Sequence, residues 1–251
     1  MAKVYAPFKI VGTINDINFY LDQNKENLAR EKGDTGITSK QFYANPIFEP
    51  IRKQSQEFGH AVHTAKTFRR LFHPFFERAK DGAFAGRVNK LLLEVLTEDE
   101  NNPVGSRTIQ QGLKTEYGRE LLVDFQGNRL KPLAEVFTEK WKWNPLTQEL
   151  SLTNVNVAAD ISWPEKATHV HFAVATCHWN YETNTFETCF SEEMIFEKEE
   201  PTRTLTLKTE TPTQIGLKIT ALLITFSEYY RRRFKPLKRG LNTCTFIHVS
   251  E

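Results

Sequence analysis

A chain of 251 residues is long enough for one large domain or two small ones, and its 39% hydrophobic and 25% charged residues describe a folded globular protein rather than a disordered one. The formal net charge is only +2 and the two halves differ little, so no global basic field advertises nucleic acid. The opening MAKVYAPFKI is too polar for a secretion signal, and no later stretch approaches the ~18 apolar residues that span a bilayer. The expectation is a protein without membrane insertion, cytoplasmic or carried in a particle assembled in the cytoplasm.

From Phe8 to Gly33 short apolar runs alternate with Asn-Asp and Asn-Lys turn material, the pattern of strands. INFYL and NLARE form a hairpin placed ahead of anything able to bury it. Phe19, Tyr20, Leu21 and Leu28 put apolar groups on both faces, and an isolated two-stranded hairpin is marginal in water. It either packs on its own chain or adds to a neighbour's sheet, and the adjacent apolar residues on both faces favour the neighbour.

Asn45-Pro46 reads as a helix start. Ile47, Ile51, Phe58, Val62, Ala65, Phe68, Phe72, Phe75 and Ala79 then recur at mostly three- and four-residue spacing, which predicts an amphipathic helix kinked or split at Pro74. Phe84, Val88, Leu91, Leu92 and Val95 predict a second helix, closed by the acidic loop TEDENNPVG, and a third is expected over 115–124. At such spacing Phe68, Phe72, Phe75 and Phe76 are core rather than a ligand pocket.

After Leu130 the period falls to two. KWKWNPLTQELSL and the stretch from Thr168 to Phe196 read as hairpins, TRTLTLKT as an alternating strand, LKITALLITFSEYY as a central strand apolar on both faces, and TCTFIHV as the last strand. The predicted class is α+β: an arm over 1–33, a helical region over 34–126, and an antiparallel Ig-like β-sandwich over 127–251.

Common catalytic signatures are absent: there is no Gly-rich phosphate loop, HExxH, CxxC or GxSxG. Glu57, His60 and His63 share three-residue spacing, yet a di-iron arrangement needs a second such element that the chain lacks. His169, His171, Cys177 and His178 cannot all point to one face of a strand, and solvated strand histidines are the expected reading. Cys177 and Cys189 flank YETNT symmetrically, so an odd-length loop would set them opposite each other; with Cys244 they are too few for a disulfide framework. No cofactor, metal or catalytic residue is expected.

RRRFKPLKR concentrates charge: Arg231, Arg232, Arg233, Lys235, Lys238 and Arg239 surround Phe234 and follow Tyr229 and Tyr230. Such a patch grips phosphates while its aromatics stack on bases, or it is a solvated turn whose charges discourage edge-to-edge aggregation. The near-neutral total charge favours the turn.

The stretch GTINDINFY, LAREKG, NPIFEPIRKQSQEFG resembles the opening of a group of uncharacterised Bacteroidota proteins, and ITFSEYYRRRFKPLKRGLNTCTFIHV is similar to their closing strands. The resemblance implies an N-terminal hairpin arm, a helical region and an Ig-like β region. It brings no reaction, ligand or active site, and the triple arginine departs from it. The expected function is that of a non-enzymatic structural or interaction protein, a self-assembling or docking subunit of a larger complex or phage-like particle. Nucleic-acid binding through Arg231–Arg239 is the alternative.

Overall fold

The computed structural model describes residues 2–33, 36–138 and 141–251. The chain divides into two compact units, residues 1–52 and 53–251.

In the first unit β1 (Ala2–Lys3), β2 (Gly12–Ile14), β3 (Ile17–Leu21) and β4 (Asn27–Glu31) form an antiparallel sheet in the order β1-β4-β3-β2. The predicted hairpin is therefore the centre of a four-stranded sheet. Ile14 pairs with Ile17 across a two-residue loop in which Asn15 takes φ 51°, a left-handed conformation that Asn tolerates. The Asn27 side chain, the one buried group among the described residues here, bonds both the N–H and the C=O of Ile10 at 2.8 Å. Thr38 and Gln41 form a capping box that opens α1 (Ser39–Ala44). Asn45 then caps a 3-10 turn, Pro46–Phe48, accepting from the Ile47 N–H.

α2 (Glu49–Leu71) buries Glu57, Ala61, Thr64, Ala65, Phe68 and Leu71, a helical stripe. The predicted stripe began too early: Ile51 and Phe58 are about half exposed and Ile47 more so. Pro74 does split the run, because α2 stops at Leu71 and α3 (His73–Arg78) begins afresh with proline in its first turn. α4 (Phe84–Thr97) buries the five predicted residues together with Leu96. The acidic loop after it is folded around the Asp99 carboxylate, which accepts from the N–H groups of Asn101, Asn102 and Thr108. α5 (Ile109–Gly112) follows, then α6 (Glu116–Glu120), shorter than predicted because the Asp124 N–H leaves the helical path to bond the carbonyl of Phe246. α7 (Leu133–Val136) and α8 (Val157–Asp160) are single turns.

The remaining strands make two antiparallel sheets. β5 (Trp141–Asn144), β6 (Glu149–Val155) and β10 (Arg203–Lys208) form one. The other is built on two long central strands, β7 (His169–Asn180) and β11 (Leu217–Tyr230), paired over eleven positions. β8 (Thr185–Phe190) and β9 (Met194–Glu197) share the outer edge of β7, while β12 (Arg233–Pro236) and β13 (Thr243–Ser250) share that of β11. A strand flanked and covered on both sides must be apolar on both faces, as β11 is.

Each face of the six-stranded sheet has its own core. Ala173, Ala175, Cys177, Trp179, Ile219, Ala221, Leu223 and Phe246 meet the helices, and Phe246 sits among Phe68, Phe72, Phe76 and Phe125 at centroid distances of 5.2–6.1 Å. Val170, Phe172, Val174, Leu222, Ile224 and Phe226 meet Leu150, Leu152, Leu205 and Leu207 of the three-stranded sheet. The class is mixed α+β with antiparallel sheets, in three layers: helices, large sheet, small sheet.

Candidate functional site

The first unit is unusual for what it leaves in water. No apolar side chain among its described residues is buried. Tyr5, Phe8, Val11, Ile14, Ile17, Leu21, Ile37, Tyr43, Ile47 and Ile51 are all more than a third exposed. The register sorts the sheet residues by face, since directly opposed residues point the same way. Gly12 opposes Phe19 and Ile14 opposes Ile17, so Ile14, Ile17, Phe19 and Leu21 line one face as an apolar stripe. Tyr20 opposes Leu28 and both are half-buried on the other face, where the Arg30 guanidinium lies 5.5 Å from the Tyr20 ring centre. Of the four predicted arm residues the structure thus joins Tyr20 to Leu28 and sets Phe19 and Leu21 on the opposite side. Ile14 and Ile17, which complete the stripe, were outside the predicted set; the two-residue spacing of Ile17, Phe19 and Leu21 in the sequence was the available signal.

The basic segment is an exposed hairpin. Arg231 (φ 49°) and Arg232 (φ 61°) form its two-residue loop, both left-handed, and Tyr230 pairs with Arg233, Tyr229 with Phe234 and Glu228 with Lys235. Arg233 and Lys235 therefore share a face with Tyr230. Tyr229 and Phe234 point the other way and pack together with His169, at centroid distances of 5.1–5.5 Å. The Arg231 guanidinium lies 5.1 Å from the Tyr230 ring centre. The expected convergence of charges and stacking rings holds only for Tyr230. Arg239, in the 3-10 turn after β12, lines a separate cleft with residues of α2 and α3.

Two histidines expected in solvent are buried, which corrects that reading. His171 Nδ1 is 2.8 Å from Glu193 Oε1 and its Nε2 is 2.6 Å from Ser227 Oγ. Arg78 donates to both Glu193 oxygens, at 2.7 and 2.9 Å, and to Thr225 Oγ1 at 2.8 Å. The His171 and Arg78 bonds hold the Glu193 carboxyl down at about 2. Glu, His and Ser are in the order of a hydrolase relay, but Ser227 is only 2% exposed, and what the relay does here is to fasten the end of the large sheet to α3. His178 Nδ1 bonds the Gln214 carbonyl at 2.8 Å.

Glu57 is equally committed. It takes a bidentate pair from Arg107, 2.8 Å on each oxygen, plus the Gly105 N–H at 2.7 Å, and these bonds hold its carboxyl below the usual range, while His60 and His63 are exposed. Among the described residues no group of three or more His, Cys, Asp or Glu is placed to hold a metal ion. Cys177 opposes Thr188, and Cys189 opposes Thr176, so the two thiols are not a cross-strand pair; the connecting loop has four residues, an even number. All three cysteines are free. No helix among the described residues is long and apolar enough to cross a membrane. No protein-family model matches the chain, nor does any curated protein or solved structure.

Proposed function

We propose that the protein is a non-enzymatic assembly subunit that docks through residues 2–52 onto other copies of itself or a neighbouring subunit of a larger complex or phage-like particle assembled in the cytoplasm. The carrying observation is a folded module with no buried apolar side chain among its described residues, which presents Ile14, Ile17 and Leu21 as an exposed stripe on one sheet face. A small sheet of this kind is marginal by itself, and contiguous exposed apolar surface is where proteins meet. β2 lies at the sheet edge, all three of its residues are exposed, and Val11 before it is exposed as well, which suits the addition of a partner's strand. In the same reading the two sheets beyond residue 127 form a divergent Ig-like sandwich, and the chain is a member of the Bacteroidota group whose end motifs it resembles.

The test is to substitute the stripe. Ile14→Glu with Ile17→Glu should convert an associating chain to a monomer in sedimentation velocity while the near-ultraviolet circular dichroism of the second unit, which has its own core, stays the same. Undiminished association would refute the docking role.

A second reading, nucleic-acid binding, is favoured by one observation. Two consecutive arginines occupy left-handed backbone at an exposed tip, a conformation that costs about 1 kcal/mol for each non-glycine residue. Replacing Arg231, Arg232 and Arg233 by Ser should then abolish retention on single-stranded DNA at low salt; unchanged retention would end this reading.

A further inference from the structure

A cleft of about 470 Å³ opens in the second unit between the C-terminal half of α2, the turn joining α3 to α4, and Arg239. Five cations line it, Lys66, Arg69, Arg70, Lys80 and Arg239, together with His73. Against them stand two carboxylates, both already engaged. Glu77 pairs with Lys80, and its Oε1 lies 3.7 Å from His73 Nε2. Asp81 pairs with Arg87 and accepts from the N–H groups of Ala83 and Arg129. Arg69 bonds the Asn89 side chain and Arg70 lies over the Phe186 ring, so neither they nor Lys66 form an ion pair with a carboxylate among the described residues, while Arg239 shares the charge of Glu77 at longer range.

An ordinary cause for cations at this place is the C-terminal end of the α2 dipole, which favours Arg69 and Arg70 in the last turn. It does not account for Lys80, which lies past α3, or for Arg239, which a distant part of the chain brings to the same opening. Lys66, Arg69 and Arg70 lie along α2 at spacings that bring Lys66 beside both arginines, and His73 opens α3 just beyond its end. In a chain of net charge +2, so local an excess repels itself, and the repulsion is relieved when an anion supplies the missing charge. The start of α4 lies at the same opening, and its positive end is already met by the Asp81 carboxylate, which accepts from the Ala83 N–H.

We propose that this cleft binds a phosphate-bearing small molecule of about mononucleotide size. Its volume lies in the range of small-ligand sites. Arginine forks suit phosphate oxygens, which accept two parallel N–H bonds. The site is separate from the Arg231–Arg233 tip and from the docking module.

Isothermal titration calorimetry on the full chain tests it, with inorganic pyrophosphate, AMP and a twelve-nucleotide single-stranded DNA as probes. Saturable binding of pyrophosphate and AMP is expected, weakened about tenfold or more in Lys66→Ser/Arg70→Ser, as losing charge-assisted hydrogen bonds implies. Both side chains are exposed, so the fold is unaffected, and Arg239→Ser on its surface turn must weaken the same binding. Arg231→Ser/Arg232→Ser must leave it unchanged. No saturable binding of either small probe, equal loss in the Arg231/Arg232 variant, or binding of the oligonucleotide alone would overturn the proposal.

Discussion

Replacing Glu193 by Gln leaves the shape of the side chain and removes its charge from between Arg78 and His171. Those partners lower the carboxyl from 4.5 to about 2 in the folded protein. At 1.36 kcal/mol per unit the full shift corresponds to about 3.4 kcal/mol, but a third of the side chain is exposed and screened by water, so roughly 2 kcal/mol is expected. The folded value is depressed, so the contribution is fully present above about pH 4.5 and is lost as pH falls toward 2. Urea unfolding followed by circular dichroism, on wild type and Glu193→Gln, should show a gap of about 2 kcal/mol at pH 7 that narrows steadily below pH 4.5. Gln stands in for the protonated acid, so the two proteins converge. A gap below about 0.5 kcal/mol at pH 7, the scale of an ordinary surface substitution, or one that keeps its size at pH 3, would refute the reasoning.

Phe246→Ala removes the ring around which Phe68, Phe72, Phe76 and Phe125 pack and should cost about 4 kcal/mol in the same unfolding assay; a loss under 1 kcal/mol would mean that the helices do not depend on the large sheet. Gly112→Ala would place a methyl 1.9 Å from the Val95 carbonyl oxygen, so α4 and α5 must separate, and a drop of about 2 kcal/mol or more is expected. Arg231→Asn with Arg232→Gly suits the left-handed loop and should raise stability by about 1 kcal/mol; no gain would show that the arginines are not strained there. Burial pushes the Cys177 thiol up to about 12 and raises Cys244 too, so a thiol reagent at pH 8 should label the native protein at Cys189 alone until urea opens the core.

Elements whose period is set by one covered face were readable from residues alone. Phe84, Val88, Leu91, Leu92 and Val95 announce α4, Pro74 announces the break between helices, and the two apolar faces of β11 announce its central place. Periodicity shows a face without showing what covers it. Ile47, Ile51 and Phe58 continue the spacing of α2 and are nevertheless exposed. Polar clusters were illegible for a different reason. Arg107 reaches Glu57 across 50 residues, and Arg78, Glu193, His171 and Ser227 come from four segments that only the completed sheet and helix layer bring together. The thiol placement turned on parity, where one residue of loop length moves a side chain to the other face. The exposed apolar stripe was half legible: Phe19, Tyr20, Leu21 and Leu28 lie in the module that carries it, and the register showed that its exposed face belongs to Ile14, Ile17 and Leu21.

The most direct test of the docking account is light scattering coupled to size-exclusion chromatography, on the intact chain and on one lacking residues 1–33, with circular dichroism on both. The second unit carries both hydrophobic cores, so the shortened chain is expected to stay folded. The account predicts an oligomeric or filamentous intact chain and a folded, monomeric shortened one. Two folded monomers, or two equal oligomers, would contradict it.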